Sequence, residues 1–387
     1  MASPVGERAI EAALRSGNAI LKFISRNDAG VTGSHQAGFY LPKAAWTMYT
    51  PHAPIKDRLD ETAVRIDWPD GRVTDSRVKW YGQKTRSEYR LTRFGKDFPY
   101  LTPDTVGDLL IIVPINHTQF SAFVLDLDED IDEILATLGV QPFEHWAIYQ
   151  NGMARPETVD ECLDRHFREF VKELTSFPTG EVFSEATRRF VEECRRLAAS
   201  SSLDDALMTW IETEYQLFQM AERKICQAEI VRPFKDIDDF LHTAARLMNR
   251  RKSRAGRSLE NHVHHALTAA GIPHDMRPNV DGKPDIIVPG EAAYRDAAYP
   301  TNRLCVVGVK TTCKDRWRQV LNEGKRVPSK HILTVQPGIS STQLDEMHAS
   351  NVTLIVPKRL QKDYPKERRI SILTIDDFVG SMREMLR

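Results

Sequence analysis

Two short apolar runs in the last third of the chain, each with a charged end, constrain it most. Pro284-Asp285 opens Ile286-Ile287-Val288, and Val306-Val307-Gly308-Val309 ends in Lys310. Short runs rich in β-branched residues read as strands buried on both faces. Further strand-like runs at 331–335, 352–356 and 370–375 alternate with helical patterns at 315–324, 340–348 and 376–386. That alternation predicts a central mixed sheet flanked by helices.

The rest of the chain has a different pattern. A helical period covers 10–21, followed by strand-like runs at 38–41, 63–68, 72–80, 109–115, 120–125 and 145–149. Residues 67–72, Asp-Trp-Pro-Asp-Gly-Arg, form a turn between two alternating strands. Many short strands with frequent turns indicate a barrel or sandwich. The pattern turns helical after Phe177-Pro-Thr-Gly180, with helices expected over 184–199, 203–228, 237–249 and 258–270. A length of 387 residues suits two domains, and the boundary is placed at residue 176, giving 1–176 and 177–387.

Composition narrows the function classes. With 41% hydrophobic and 28% charged residues, disordered and collagenous chains are excluded. The longest apolar run, 109–115, is far below the roughly 20 residues of a membrane-spanning helix. No membrane partner and no nucleotide cofactor are expected. The five cysteines (162, 194, 226, 305, 313) form no CxxC pair, so neither a disulfide framework nor a zinc ribbon is expected, and a bacterial or archaeal cytoplasm fits. The net charge of -1 hides an uneven distribution. Residues 79–96 hold six cations against Glu88 alone, 246–257 hold six cations and no acid, and 126–133 hold six acids and no cation. Such blocks are either solvated faces or local anion contacts.

Asp285 and Lys310, at the ends of adjacent strands, can face each other across a sheet edge. Glu323 follows the lysine by thirteen residues. Two hard-oxygen carboxylates that can bind Mg²⁺ and a lysine that can orient water are the groups metal-dependent phosphodiester hydrolysis needs. The arrangement resembles the PD…(D/E)xK signature of restriction-type nucleases, except that the acid expected at 308 is Gly308. Glu323, reaching in from the following helix, can supply that carboxylate. Lys314, Asp315 and Arg316 open that helix, where cations can donate to guanine and an acid can accept from cytosine. The basic run from Asn249 can grip phosphates, and Glu260 falls near the first turn of the helix after it.

Taken together, Asn249-RRKSRAGRSLE-260, Lys283-Pro-Asp285 and Val309-KTTCKDRWRQVLNE-323 closely resemble the catalytic motifs of the EcoRII family of restriction endonucleases, and the likeness spans roughly 235–370. It implies a restriction-endonuclease-like catalytic domain acting as a homodimer on double-stranded DNA with Mg²⁺. The family's catalytic residues map onto Glu260, Asp285, Lys310 and Glu323, with metal on Asp285 and Glu323. Its base-reading motif maps onto Lys314, Asp315 and Arg316, although related CCGG-type enzymes have arginine at the first position. The implied target is 5′-CCWGG, cut before the first cytosine, with the central bases flipped out. Residues 27–40 and 82–95 resemble the two DNA-contact loops of that family's effector domain, a pseudobarrel similar to plant B3 domains. The residues implied to read DNA there are His35, Tyr40, Lys84, Arg86, Glu88 and Arg90, while Tyr89 stands where the family has lysine. In the family this domain binds a second target copy and relieves an inhibition it imposes on the catalytic dimer.

Other readings rank lower. His262 and His265 could share a zinc ion but lack a third ligand at a suitable spacing, so a surface helix is expected. Tyr294 as a strand-transferring nucleophile would need an Arg/His pocket, so packing or a contact to the DNA backbone is expected. The acids at 126–133 lack EF-hand spacing and read as a solvated helix start. Trp317 is expected in the core. The alternative from a different class is a catalytically silent DNA-binding regulator.

Overall fold

Ser3 and Gly17 set the first helix. The Ser3 hydroxyl accepts from the Gly6 amide, Pro4 occupies the first helical position, and Gly17 closes the helix at φ +67°. The helix, α1, is therefore Pro4–Ser16, and the strand β1 follows at Asn18–Phe23. The expectation of a helix over 10–21 is corrected: the caps override the periodicity, and residues 18–21 join the sheet.

The computed structural model describes residues 2–387 except 32–37, 51, 53–54, 56–59, 82–87, 141–145, 151–152, 155–160, 195–196 and 198–200. The chain divides into two compact units. The first comprises Met1–Arg155, Gln336–Asp345 and Lys362–Arg368, and the second Pro156–Val335, Glu346–Gln361 and Arg369–Arg387. Among the described residues no helix is long and apolar enough to cross a membrane.

In the first unit α1 and β1 are followed by β2 (Phe39–Pro42), α2 (Trp46–Tyr49), β3 (Asp60–Asp67), β4 (Val73–Tyr81), β5 (Glu88–Thr92), β6 (Leu109–Pro114), β7 (Gln119–Leu125), α3 (Asp128–Leu138), β8 (Trp146–Gln150) and β9 (Met153–Ala154). The strands form one sheet in the order β2-β5-β4-β3-β7-β6-β1-β8-β9. Of these pairings only β3 with β7 is parallel. The expected turn joins β3 to β4, with the Trp68 amide donating to the Arg72 carbonyl at 2.8 Å.

Alternation along β1 and β6 sends side chains into two cores. Ile20, Leu110 and Ile112 join a cluster with Phe39, Trp68, Trp80, Leu91 and Ile148. Ala19, Leu21, Leu109 and Ile111 face the other way and pack with Ala9 and Ala13 of α1 and Ile131 and Ile134 of α3. The first cluster unites β2 and β8, which stand far apart in the strand order, so the sheet is curled around it. The later segments join this unit through Gln336, whose Nε2 donates to the Gly107 carbonyl at 3.2 Å, and through Tyr364, whose hydroxyl donates to the Gln336 carbonyl at 2.8 Å. The acids at 126–133 are not simply solvated: Asp128 and Asp130 are buried, and Asp130 accepts from the Ser3 amide at 2.6 Å.

The second unit begins with four helices, α4 (Glu161–Glu173), α5 (Gly180–Glu193), α6 (Leu203–Val231) and α7 (Ile237–Ala269). Thr179, Ser202 and Asp236 cap the last three with their side chains. There follow β10 (Asp275–Met276), β11 (Ile286–Val288), α8 (Glu291–Arg295), β12 (Cys305–Lys310), β13 (Lys330–Thr334), α9 (Ser341–Ala349, of which residues up to Asp345 count with the first unit), β14 (Val352–Ile355) and α10 (Ile375–Leu386). The sheet is mixed, in the order β10-β11-β12-β13-β14, with β12, β13 and β14 parallel. The strand expected at 370–375 is absent: Ile370 is 94% exposed in a 3₁₀ turn, and only Leu373 bridges to Ile355.

The helices expected at 237–249 and 258–270 are one helix of 33 residues. The basic run therefore does not precede a helix but lies inside one. Its cations are largely committed to α6 and its surroundings. Arg246 pairs with Glu229 at 2.6 Å, and Arg251 grips Glu222 through Nε and Nη2, both at 2.8 Å. Arg250 lies 3.9 Å from the Phe177 ring centre, and Arg254 4.7 Å from that of Tyr215. The phosphate-gripping expectation is thus replaced, for these four, by contacts within the unit, Arg246, Arg251 and Arg254 to α6 and Arg250 to Phe177 ahead of α5. His262 is likewise not on a surface: it is fully buried, stacked on Trp210, with Nε2 3.0 Å from Glu214. Cys162 and Cys194, outside any CxxC spacing, are joined in a disulfide across α4 and the end of α5. No disulfide is expected from the spacing of the cysteines, and this one departs from that reading.

Candidate active site

Asp285 precedes β11, and Lys310 ends β12. The antiparallel register Ile286↔Val307 places the strand-opening acid beside the strand-ending lysine. One oxygen of Asp285 receives both the Lys310 ammonium and the Val309 amide, each at 2.7 Å. Both side chains are partly open to solvent, at 17% and 19%.

Glu323 lies just past a 3₁₀ helix, Arg316–Asn322. Its Oε2 is buried and has no hydrogen-bond partner among the described residues. Burial pushes its carboxyl up to about 7; Lys310 opposes the rise and Asp285 adds to it. The position beside Gly308 is closed by Val320, whose Cγ2 would lie 3.3 Å from a Cβ there. Glu323 thus feels both members of the Asp285–Lys310 pair.

Glu260 comes from α7, well past its middle and not from its first turn. Arg277 Nε donates to its Oε2 at 2.9 Å. Burial raises its carboxyl above the usual range, Arg277 pulls it back, and smaller effects from Asp285 and Lys310 place it in the same group. All four expected catalytic residues thus share one electrostatic neighbourhood.

Two features that hold the group together escaped the sequence reading. The Asp281 carboxylate accepts from the Tyr294 hydroxyl and the Lys325 amide, both at 2.6 Å, while its carbonyl accepts from the Gly324 amide at 2.8 Å. These bonds tie the loop leading to Asp285 against the segment carrying Glu323. Gly282, at φ +72°, lets the two backbones meet: a Cβ there would lie 2.5 Å from Glu323 Cα and collide with the Asn322 carbonyl. The Asp-Gly pair was visible only as turn chemistry. Tyr294 is buried at 7% exposure and committed to Asp281, so its packing reading holds. Trp317, at 2% exposure, is core.

Lys314 and Asp315 lie between Lys310 and the 3₁₀ helix, which Arg316 opens and whose far end leads to Glu323. Lys314 is buried, Asp315 exposed and Arg316 half-buried. In the first unit, Tyr40 and Arg90 are direct partners across β2 and β5, with the Arg90 guanidinium 3.8 Å from the Tyr40 ring centre. A cavity of about 770 Å³ is lined by Tyr40, Glu88, Lys22, Asn27 and Trp146, among others. His35, Lys84 and Arg86 lie outside the described residues.

Two family models match the chain. "Restriction endonuclease EcoRII, N-terminal" covers residues 14–149, and "EcoRII C terminal" covers 218–379. The Type II restriction enzyme EcoRII of Escherichia coli is 29% identical over 391 residues, spanning 94% of this chain and 93% of that protein. The Type II restriction enzyme SsoII of Shigella sonnei is 26% identical over 149 residues, 35% of this chain and 48% of that protein. Among solved structures, Ecl18kI with modified DNA matches at a TM-score of 0.46 and 19% identity, covering 57% of this chain and 84% of its own. PspGI with substrate DNA matches at 0.45 and 14% identity, covering 60% and 99%. Both halves of the chain match models of one enzyme type, in the order and over nearly the length of its Escherichia coli member: the chain belongs to the EcoRII-type restriction endonucleases.

Proposed function

We propose that this site-specific deoxyribonuclease hydrolyses both strands of DNA at a CCWGG-like sequence with Mg²⁺, and that its N-terminal domain binds a second target copy as allosteric effector and autoinhibitor. The observation that carries the catalytic half is the buried, partnerless Oε2 of Glu323 in the same electrostatic group as Asp285 and Lys310. A buried carboxylate oxygen without a donor fits a hard cation. Asp285 and Glu323 would hold the metal, which when bound would polarise the phosphate and acidify a water.

The remaining roles belong to the chain. Lys310, held by Asp285, positions the attacking water and donates to the charge developing on phosphorus. Glu260, fixed by Arg277, completes the carboxylate shell. Lys314, Asp315 and Arg316 read guanine and cytosine edges. Recognition of a two-fold symmetric target fits a homodimer.

The effector function is assigned to 1–176 and the catalytic one to 177–387. The curled sheet with one core spanning β2 to β8 supports a B3-like pseudobarrel. In that reading Tyr40, Glu88 and Arg90 contact DNA together with His35, Lys84 and Arg86.

The test uses the full chain and a plasmid with several CCWGG sites, with and without Mg²⁺, followed by sequencing of the cut ends. Discrete cleavage that needs Mg²⁺ supports the reading, and the ends give target and cut position. Adding a short CCWGG duplex should accelerate cleavage of a single-site plasmid. Specific retardation with no cleavage under any of these conditions would favour the silent regulator.

A further inference from the structure

Among the described residues, one group of three side chains is close enough to share a soft metal ion: Cys162, His166 and Cys194, whose ligand atoms lie within 4.8 Å of one another. Cys162 and His166 are one turn apart on α4, and Cys194 is the C-cap of α5. All three are half-buried. The two cysteines, with Cα atoms 5.9 Å apart, are joined in the structure.

A disulfide by itself needs no histidine. Here the His166 ring is stacked on Phe190, 5.1 Å between centres and tilted by 18°, which fixes its plane beside the sulfurs. Its Nδ1 lies 3.4 Å from Glu193 Oε2. An acid on one ring nitrogen, leaving the other for a metal, is the usual arrangement around zinc-bound histidine. Two sulfurs and an imidazole are a donor set for a borderline-soft, tetrahedral cation.

We propose that, once reduced, Cys162, His166 and Cys194 bind one zinc ion per chain, with solvent at the fourth position. A dithiol supplies two electrons and two protons to open the disulfide and is itself oxidised to a disulfide. Zinc then displaces one proton from each thiol, and the sulfur lone pairs become the metal bonds. The ion replaces the disulfide as the clip between α4 and α5, so Cys162 and Cys194 join these helices in either redox state. The site is separate from the proposed nuclease centre, whose metal donors are oxygens.

The test begins with full-length protein reduced with a dithiol, desalted without oxygen and titrated with Co²⁺. The expected result is one equivalent bound with the intense visible bands and thiolate charge-transfer absorption of tetrahedral cobalt–thiolate, displaced by Zn²⁺. Cobalt at an all-oxygen nuclease site gives neither signature. Protein left oxidised should show no such bands, and Cys162→Ser with Cys194→Ser should abolish them. His166→Asn should weaken zinc at least about tenfold, whereas Cys226→Ser should leave binding intact. Reduced wild-type protein without the thiolate bands would overturn the proposal. So would a folded His166→Asn variant that binds zinc as tightly as wild type.

Discussion

Lys310 Nζ donates to Asp285 Oδ2 at 2.7 Å, and the same oxygen receives the amide of Val309, the residue just before the lysine. The strand end thus grips the acid by backbone and side chain together. Asp285→Ala and Lys310→Ala should each lower DNA cleavage by at least about 100-fold, with specific binding in a gel-shift assay retained. Asp285→Ala also leaves the buried Val309 amide without its acceptor, so that variant should lose about 1–3 kcal/mol of stability. Full activity in either folded variant would remove both residues from the catalytic group.

Asp281 links two loops without being a proposed ligand. In Asp281→Ala two donors, the Tyr294 hydroxyl and the Lys325 amide, lose their acceptor, so a stability loss of about 1–3 kcal/mol is expected. Because Glu323 then shifts against Asp285, kcat should fall more than KM rises. Gly282→Ala, at positive φ and against the Asn322 carbonyl, should do the same. Steady-state cleavage combined with denaturant unfolding separates the two effects. Unchanged kcat in both variants would count against the linkage.

Arg251 belongs to the basic run but grips Glu222 with two nitrogens. Arg251→Gln should therefore destabilise the helical layer, by about 2 kcal/mol, and leave the salt dependence of DNA binding unchanged. A shallower salt slope would instead show that this arginine contacts phosphate.

His331, on β13, lies with Nδ1 3.2 Å from Cys305 Sγ and packs on Phe378. Burial pushes its imidazole down to about 4. Between the ordinary histidine value and that point the unfolded chain binds a proton that the folded chain refuses. Its contribution therefore favours folding above the ordinary value and is lost as pH falls toward 4. Wild-type protein should lose melting temperature between pH 7 and about 4.5 more steeply than His331→Gln. Parallel curves for the two would exclude this histidine as a source of the pH dependence.

The proposed catalytic group was legible because strand ends and the acid after Lys310 are short-range features. Asp285 and Lys310 stand at the strand ends where the apolar runs put them, whereas Glu323, expected on the helix after Lys310, lies just past a short 3₁₀ helix. The supports were not legible: Asp281 and Gly282 look like any turn until the segment around Glu323 is seen against them. Strands β2, β3, β4, β6, β7 and β8 were marked as short strand-like runs, but β1 was hidden under a helical period that the caps at Ser3 and Gly17 overrule. The basic run misled because charge along a sequence does not reveal a facing acid, and Glu222 and Glu229 lie on another helix. Cys162 and Cys194 were missed for the same reason: 32 residues separate them, and only the packing of two helices brings them together.

The two segments Gln336–Asp345 and Lys362–Arg368 belong to the first unit, so the chain passes between the units five times. No single cut yields two complete halves. Removing the first 176 residues would strip Ile339 and Tyr364, both fully buried, of part of their surroundings. Recombination at one junction would graft an incomplete unit onto its new partner. Moving either unit into another protein therefore means moving three separate segments of the chain at once.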